Sequence, residues 1–152
     1  MTNKEFENKL LFFQQLTGTL RGLTRELAPE AVSWDADAME LTMAFHTNED
    51  MTNPVGNLHG GVIATIFDNG MGVLAACFAD GAFTPTISMN LEYLRPVPLT
   101  KTVFLHAKIV KRGRSMIHLR SELMDAPSGG KVYAAATSIF AIHATQKFSI
   151  DS

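Results

Sequence analysis

The spacing of hydrophobic positions changes repeatedly along this chain, and each change marks an element. Over residues 4–28, Phe6, Leu10, Phe13, Leu16, Leu20, Leu23 and Leu27 recur at helical spacing. They predict one amphipathic helix, ended by Ala28-Pro29. Residues 31–46 switch to alternation, with Met39, Leu41, Met43 and Phe45 on one face and Glu40, Thr42, Ala44 and His46 on the other. That is the pattern of a half-buried strand, preceded by a hairpin turn at Trp34-Asp35-Ala36-Asp37. A polar loop with Pro and Gly follows over 47–58. A second helix runs from Gly60 to about Ala79 and stops at Asp80-Gly81. It is apolar nearly all round, so other elements must wrap it. Beyond it, Ile87, Met89, Leu91 and Tyr93 alternate and Arg95-Pro96-Val97-Pro98 closes the segment. Val103, Leu105, Ala107 and Ile109 alternate next, up to a basic turn at Lys111-Arg112-Gly113-Arg114. Strands over 115–124 and 131–143 flank a hairpin turn at Ala126-Pro127-Ser128-Gly129-Gly130. The tail after His143 reads as frayed.

Helix, two strands, buried helix and a run of hairpin-linked strands make an α+β fold, an antiparallel sheet around one central helix. The 152 residues fit one domain, 1–152, with a core over about 30–143. A charged fraction of 18% against 46% apolar residues is globular, and a net charge of −2 gives no nucleic-acid footprint. The single cysteine, Cys77, excludes an intrachain disulfide and favours a reducing, cytoplasmic setting. The acids of Met1–Glu7, followed by Gln14 and Gln15, do not resemble a signal peptide. The run Val62–Ala79 is long enough for a bilayer. Asp68, Asn69, Gly70 and Gly72 at its centre predict instead the buried helix of a soluble protein, with no membrane partner.

The chemistry concentrates in Asn53-Pro54-Val55-Gly56-Asn57-Leu58-His59-Gly60-Gly61 and in Asp68. A carboxylate inside an apolar helix is costly unless paired or used. The glycines leave backbone N–H groups bare at the helix start, where the helix dipole favours negative charge. A buried acid near an amide-lined helix N-terminus suits acyl transfer. The bland alternatives are a tight loop-to-helix entry at Gly60 and Gly61, and an aspartate that only bonds a partner subunit's loop.

The His59-Gly60-Gly61 triplet, the spaced Asp68 and the segment Ser88-Met89-Asn90-Leu91-Glu92-Tyr93-Leu94-Arg95-Pro96 together resemble the hotdog-fold acyl-CoA thioesterases. The likeness is to the phenylacetic-acid-pathway and thioesterase-superfamily-member-2 types, and it covers about residues 30–143. It implies acyl-CoA as substrate, no metal and no cofactor. It also implies a homodimer joined sheet edge to sheet edge, often paired into a tetramer, with the sites at the subunit interface. On this resemblance Asp68 is the catalytic acid and Gly60, beside Gly61, the oxyanion amide. His59 lies near the thioester carbonyl and Asn53 positions water or substrate. Thr86 falls where some relatives carry a serine that holds the water.

Read on its own, Asn53 before Pro54 is a turn residue, Asn57 a rival turn or cap, and His59 a group that either polarises a carbonyl or caps the helix. His106, His118 and His143 share no ligand spacing, so no metal site is expected. Arg95, Lys111, Arg112 and Arg114 are candidates for the phosphates of coenzyme A as a cluster, although each alone reads as a solvated charge. Phe67, Met71 and Leu74 are candidates for lining an acyl pocket, which eight methionines and ten phenylalanines would keep deformable. The expected activity is hydrolysis of an acyl- or aryl-acyl-CoA, with Asp68 as general base or nucleophile. The rivals are a hotdog hydratase or dehydratase, which would need a different His and acid motif, and a non-catalytic acyl-CoA binder, which would not need Asp68.

Overall fold

An apolar helix needs a sheet to cover it, and the chain supplies one. The computed structural model describes residues 1–99 and 102–147. In chain order it contains α1 (Asn3–Thr19), α2 (Leu23–Glu26), β1 (Glu30–Asp35), β2 (Glu40–His46), α3 (Gly60–Cys77), β3 (Ala82–Phe83), β4 (Thr86–Tyr93), β5 (Thr102–Arg112), β6 (Met116–Met124), β7 (Val132–Ala141) and β8 (His143–Lys147). Six strands form one sheet in the order β1-β2-β5-β6-β7-β4. Every pairing in it is antiparallel. The α+β architecture and the central helix are as the sequence leads one to expect.

The core is the layer between α3 and one sheet face. From α3 it takes Ile63, Ile66, Phe67, Met71 and Leu74, all buried. From the sheet it takes Leu41, Phe45, Leu105, Ile109, Ile117, Leu119, Leu123 and Phe140. Met71 sits at the centre, where its sulfur accepts hydrogen bonds from the Ser121 and Ser138 hydroxyls at 3.1 and 3.0 Å. Those two serines thus stay satisfied in an otherwise apolar layer. Gly70 sets how close the helix lies, because a Cβ there would overlap the Leu105 side chain. By length and apolarity α3 would suit a bilayer, but half of it is buried inside the fold.

The structure departs from the sequence reading at several boundaries and on one strand face. The helix expected over 4–28 is two helices, because Gly22 adopts φ +80 between them. Thr2 caps α1 in a capping box with Glu5, whose carboxyl the Thr2 backbone and hydroxyl hydrogen bonds hold below its ordinary range. The first hairpin turns at residues 36–39, so Trp34 and Asp35 belong to β1. In β2 the polar face is covered as well: Thr42 and Ala44 are buried, and the Thr42 hydroxyl meets His106 Nδ1 at 3.0 Å. The tail is not frayed through Lys147, since β8 pairs antiparallel with β3. The remainder of that tail lies outside the described residues.

The contact at Gly70 makes a measurable demand. Gly to Ala in a helix interior ordinarily gains about 1 kcal/mol, while forcing a methyl into a packed core costs about 1–3 kcal/mol. Gly70→Ala should therefore leave stability unchanged or lower it by up to about 2 kcal/mol, measured as a urea midpoint at unchanged slope. A rise of 1 kcal/mol would show that α3 is not seated this tightly.

Candidate active site

The loop before α3 is built to present the helix start. Asn53 Oδ1 accepts the N–H groups of Val55 and Asn57, each at 3.1 Å. The His59 N–H reaches Met51 O and the Leu58 N–H reaches Val97 O, both at 2.8 Å. This stapling leaves His59 extended at the N-cap, where its Nδ1 accepts the Gly61 N–H at 3.2 Å. The Gly61 amide is thereby used. Among the described residues no acceptor meets the Gly60 N–H. Tyr93 fixes the same residue from the other side, its hydroxyl donating to Gly60 O at 2.7 Å. A bare, oriented N–H at the positive end of a helix suits an oxyanion. Around it lies an open cleft of about 440 Å³ lined by Asn53, Gly60, Tyr93 and Arg95 among others.

Asp68 occupies the second position of interest, and it is exposed rather than buried. The sequence shows an apolar helix but not which face the sheet leaves open, and Asp68 lies on that open face. The Thr86 hydroxyl donates to Asp68 Oδ1 at 2.5 Å. A β-bulge makes this bond possible. Thr86 stands opposite Phe140 and Ser88 opposite Ile139, so Ile87 is an extra residue in β4. The bulge turns Thr86 onto the face shared by Met89, Leu91 and Tyr93. Ile87, expected to share that face, is instead 54% exposed. Beside Asp68, the Asn69 amide donates to Thr24 Oγ1 at 3.3 Å. A cleft of about 380 Å³ opens between this part of α3 and α1.

The sequence-selected residues thus fall into two groups. Asn53, His59, Gly60 and Gly61 stand at the start of α3, whereas Asp68 and Thr86 stand two turns further on, about 12 Å along the axis. First-turn N–H groups also point out of the helix end, away from Asp68. A water between a base and a polarised carbonyl needs both within about 8 Å, since each contact in that chain is about 3 Å. One chain does not bring the two groups together. Both groups do touch β4, Gly60 through Tyr93 at one end and Asp68 through Thr86 at the other. Among the described residues β4 pairs only with β7, and Ile87, Tyr93 and Leu94 beside its open edge are more than half exposed.

The remaining candidates are dispersed. Phe67 and Met71 are fully buried between helix and sheet and line neither cleft; Leu74 is buried with them. Arg95 donates to Val132 O at 2.6 Å, at one end of β7. Arg112 donates to Phe78 O at 2.5 Å and to Asp80 at 3.1 Å. It thus closes the C-terminal end of α3, where a cation complements the helix dipole. Lys111 and Arg114 are exposed around the same turn. By register that turn lies near Ala141, at the far end of β7 and roughly 30 Å from Arg95. The four cations do not form one cluster in a single chain. Burial pushes the Cys77 thiol up to about 12, which leaves it no role as a nucleophile. A further groove of about 510 Å³ lies on the opposite sheet face among Glu40, His106, Lys108, Arg120 and Glu122, and holds none of the candidates.

One contribution escapes the sequence reading, and a second, that of the N-terminal helix, is open there between covering the sheet and covering a pocket mouth. Tyr93 passed as one more strand residue, although it steadies Gly60. The apolar stripe of α1 reaches the Asp68 cleft, and the signal for that was a stripe running past the length needed to cover the core.

Comparison with known proteins agrees with this architecture. Human acyl-coenzyme A thioesterase 13 is 31% identical over 81 residues, which is 53% of this chain and 58% of the human protein. The mouse protein is 28% identical over 90 residues, 59% of this chain and 64% of that protein. The chain thus spans less than two thirds of these curated relatives. A phenylacetic acid degradation-related protein of Ralstonia eutropha JMP134 superposes with a TM-score of 0.73 at 26% identity, covering 86% of this chain and 98% of that one. Zebrafish thioesterase superfamily member 2, at 23% identity and a TM-score of 0.75 over 88% and 97% of the two chains, shares the fold. These neighbours identify the sheet and its central helix as the hotdog fold. The family model for the thioesterase superfamily matches residues 55–132, just over half of the 152. By that match, which takes in Gly60, Asp68 and Thr86, the chain belongs to the thioesterase superfamily.

Proposed function

We propose that this protein hydrolyses acyl- or aryl-acyl-CoA thioesters to the free acid and coenzyme A, as a dimer joined along β4. The observation that carries the reading is the pairing of an acceptor-free Gly60 N–H with an Asp68–Thr86 couple at opposite ends of one open edge strand. In an antiparallel β4–β4 pair with its two-fold axis between Met89 and Asn90, Thr86 of one subunit stands level with the partner's Tyr93. Asp68 then approaches Gly60 of the partner subunit, and each dimer holds two complete sites. The family match and the acyl-CoA thioesterase relatives support the reaction class.

In this reading the Asp68 carboxylate takes a proton from a water that Thr86 helps hold. The water oxygen attacks the thioester carbon, and the carbonyl electron pair moves onto oxygen, where the partner's Gly60 N–H donates to it. Collapse of the tetrahedral species breaks the C–S bond. The departing thiolate takes the proton from Asp68, leaving the free acid. Direct attack by Asp68 through an anhydride uses the same geometry. The Asn53 side-chain NH₂, which has no acceptor among the described residues, is left to orient water or substrate. Arg95, in the cleft beside Gly60, is the cation best placed for a coenzyme A phosphate.

The decisive measurement is thiol release from a panel of acyl-CoAs by the wild type and two variants. Asp68→Asn should fold and bind but lose about a hundred- to ten-thousandfold in kcat. Wild-type turnover by that variant would remove Asp68 from the chemistry. Gly60→Pro deletes the proposed oxyanion donor with little cost to the helix, because proline suits the first helical position and His59 is already extended at ψ 137 as a residue before proline must be. It should lose roughly a hundred- to a thousandfold in kcat. An active Gly60→Pro enzyme would place the oxyanion elsewhere. No release from any thioester, with acyl-CoA binding retained, would make the protein a binder. Light scattering provides the independent check: the protein should be at least a dimer at assay concentration, and a fully active monomer would overturn the shared site.

A further inference from the structure

The stripe of α1 is treated differently along its length. Phe6 and Leu10 are buried in the core, and Lys9 anchors this half by donating to Cys77 O at 2.7 Å. Phe13 and Leu16 are only half-buried although they continue the same face, and Leu20, the extended residue that ends the helix, is 39% exposed. What lies under them is the cleft beside Asp68, whose opposite wall includes Gly72 and Phe140.

Gly72 is the informative residue. It is one turn beyond Asp68 and on the same helix face. A glycine inside a helix lowers stability relative to alanine, so it needs a reason. At Gly70 the reason is overlap with Leu105. At Gly72 packing gives none, since a Cβ there would meet only the edge of the Phe140 ring at 3.4 Å, close to ordinary contact. What glycine does secure at this point is open space next to the carboxylate. The space is apolar on most sides, has a carboxylate and a hydroxyl at one end, and falls in the 300–1,000 Å³ range of small-molecule pockets.

We propose that this cleft is the acyl-group pocket, floored by Gly72 and Phe140 and roofed by Phe13, Leu16 and Leu20, so that α1 decides the size of acyl group accepted. The inference rests on the thioester reading for its occupant, and it assigns the N-terminal helix a part in specificity. The carbonyl lies toward Asp68 and the chain extends under α1, away from water. Each methylene that enters should strengthen binding by roughly fourfold, the equivalent of about 0.8 kcal/mol.

The test separates this proposal from the activity on which it rests. Acetyl-CoA and hexanoyl-CoA are compared by kcat/KM, and the non-hydrolysable thioethers S-ethyl-CoA and S-hexyl-CoA by calorimetric affinity. Wild type, Gly72→Val and Leu16→Trp are used, the last because a change on the half-exposed roof leaves the core intact. The wild type should bind the hexyl thioether at least tenfold more tightly than the ethyl. Each folded variant should cut that preference, and the matching kcat/KM ratio, by at least tenfold. Turnover with no change of preference in either variant would overturn the pocket and leave the hydrolase reading standing. A length preference that both variants abolish, without turnover of any thioester, would keep the pocket and sink the hydrolase reading. Affinity indifferent to chain length in the wild type would overturn the pocket outright.

Discussion

The seat of α3 on the sheet is the constraint on which the rest of the molecule depends. Gly70 removes the one side chain that would hold helix and strand apart, and Leu105 fills the space it leaves. With the axis fixed at that distance, Met71 reaches both Ser121 and Ser138. The start and the middle of the helix then fall where β4 can touch them. Tyr93 takes the Gly60 end and Thr86 takes Asp68. A helix standing farther off would lose both bonds together, because they are short and lie on the same side.

That arrangement divides labour between core and rim. Of the apolar residues of α3 that face the sheet, Ile66, Phe67, Met71 and Leu74 are wholly enclosed and line neither cleft, whereas the face left open carries Asp68, Asn69 and Gly72. Asp68 therefore does not carry the desolvation burden of an acid in a hydrocarbon interior. Water reaches it in the single chain, and its firm partner is a hydroxyl. Enclosure of the site is left to whatever covers the open edge of β4 and to the roof formed by α1.

Much of this was legible in the sequence. Helical spacing located α3 within two residues at its far end, because Asp80-Gly81 is a strong stop and His59 a recognisable entry. Alternation found the strands because each has one face on the core. What stayed hidden depends on three-dimensional placement. Nothing in the string tells which side of α3 is uncovered, so Asp68 read as buried and Phe67 and Met71 as pocket lining. Nothing in a regular alternation announces an extra residue at Ile87. Gly22 was visible as a helix breaker, yet the leucines around it kept the period and masked the break. The basic residues looked clustered because three adjoin in sequence, while strand register sends Arg95 to the opposite end of the sheet.

The bulge at Ile87 has a consequence of its own. In a strand, the parity of the count between two residues decides whether they look the same way. Thr86 and Tyr93 lie an odd number of steps apart, so a regular β4 would turn one of them from α3, and the single extra residue restores their agreement. The alignment of the Thr86 and Tyr93 ends is therefore written in the length of the strand rather than in the chemistry of any side chain. Point substitutions along β4 leave it intact, whereas loss of one residue there reverses it at a stroke. Drift by substitution can accordingly reshape what this site accepts long before it disturbs how the site is assembled.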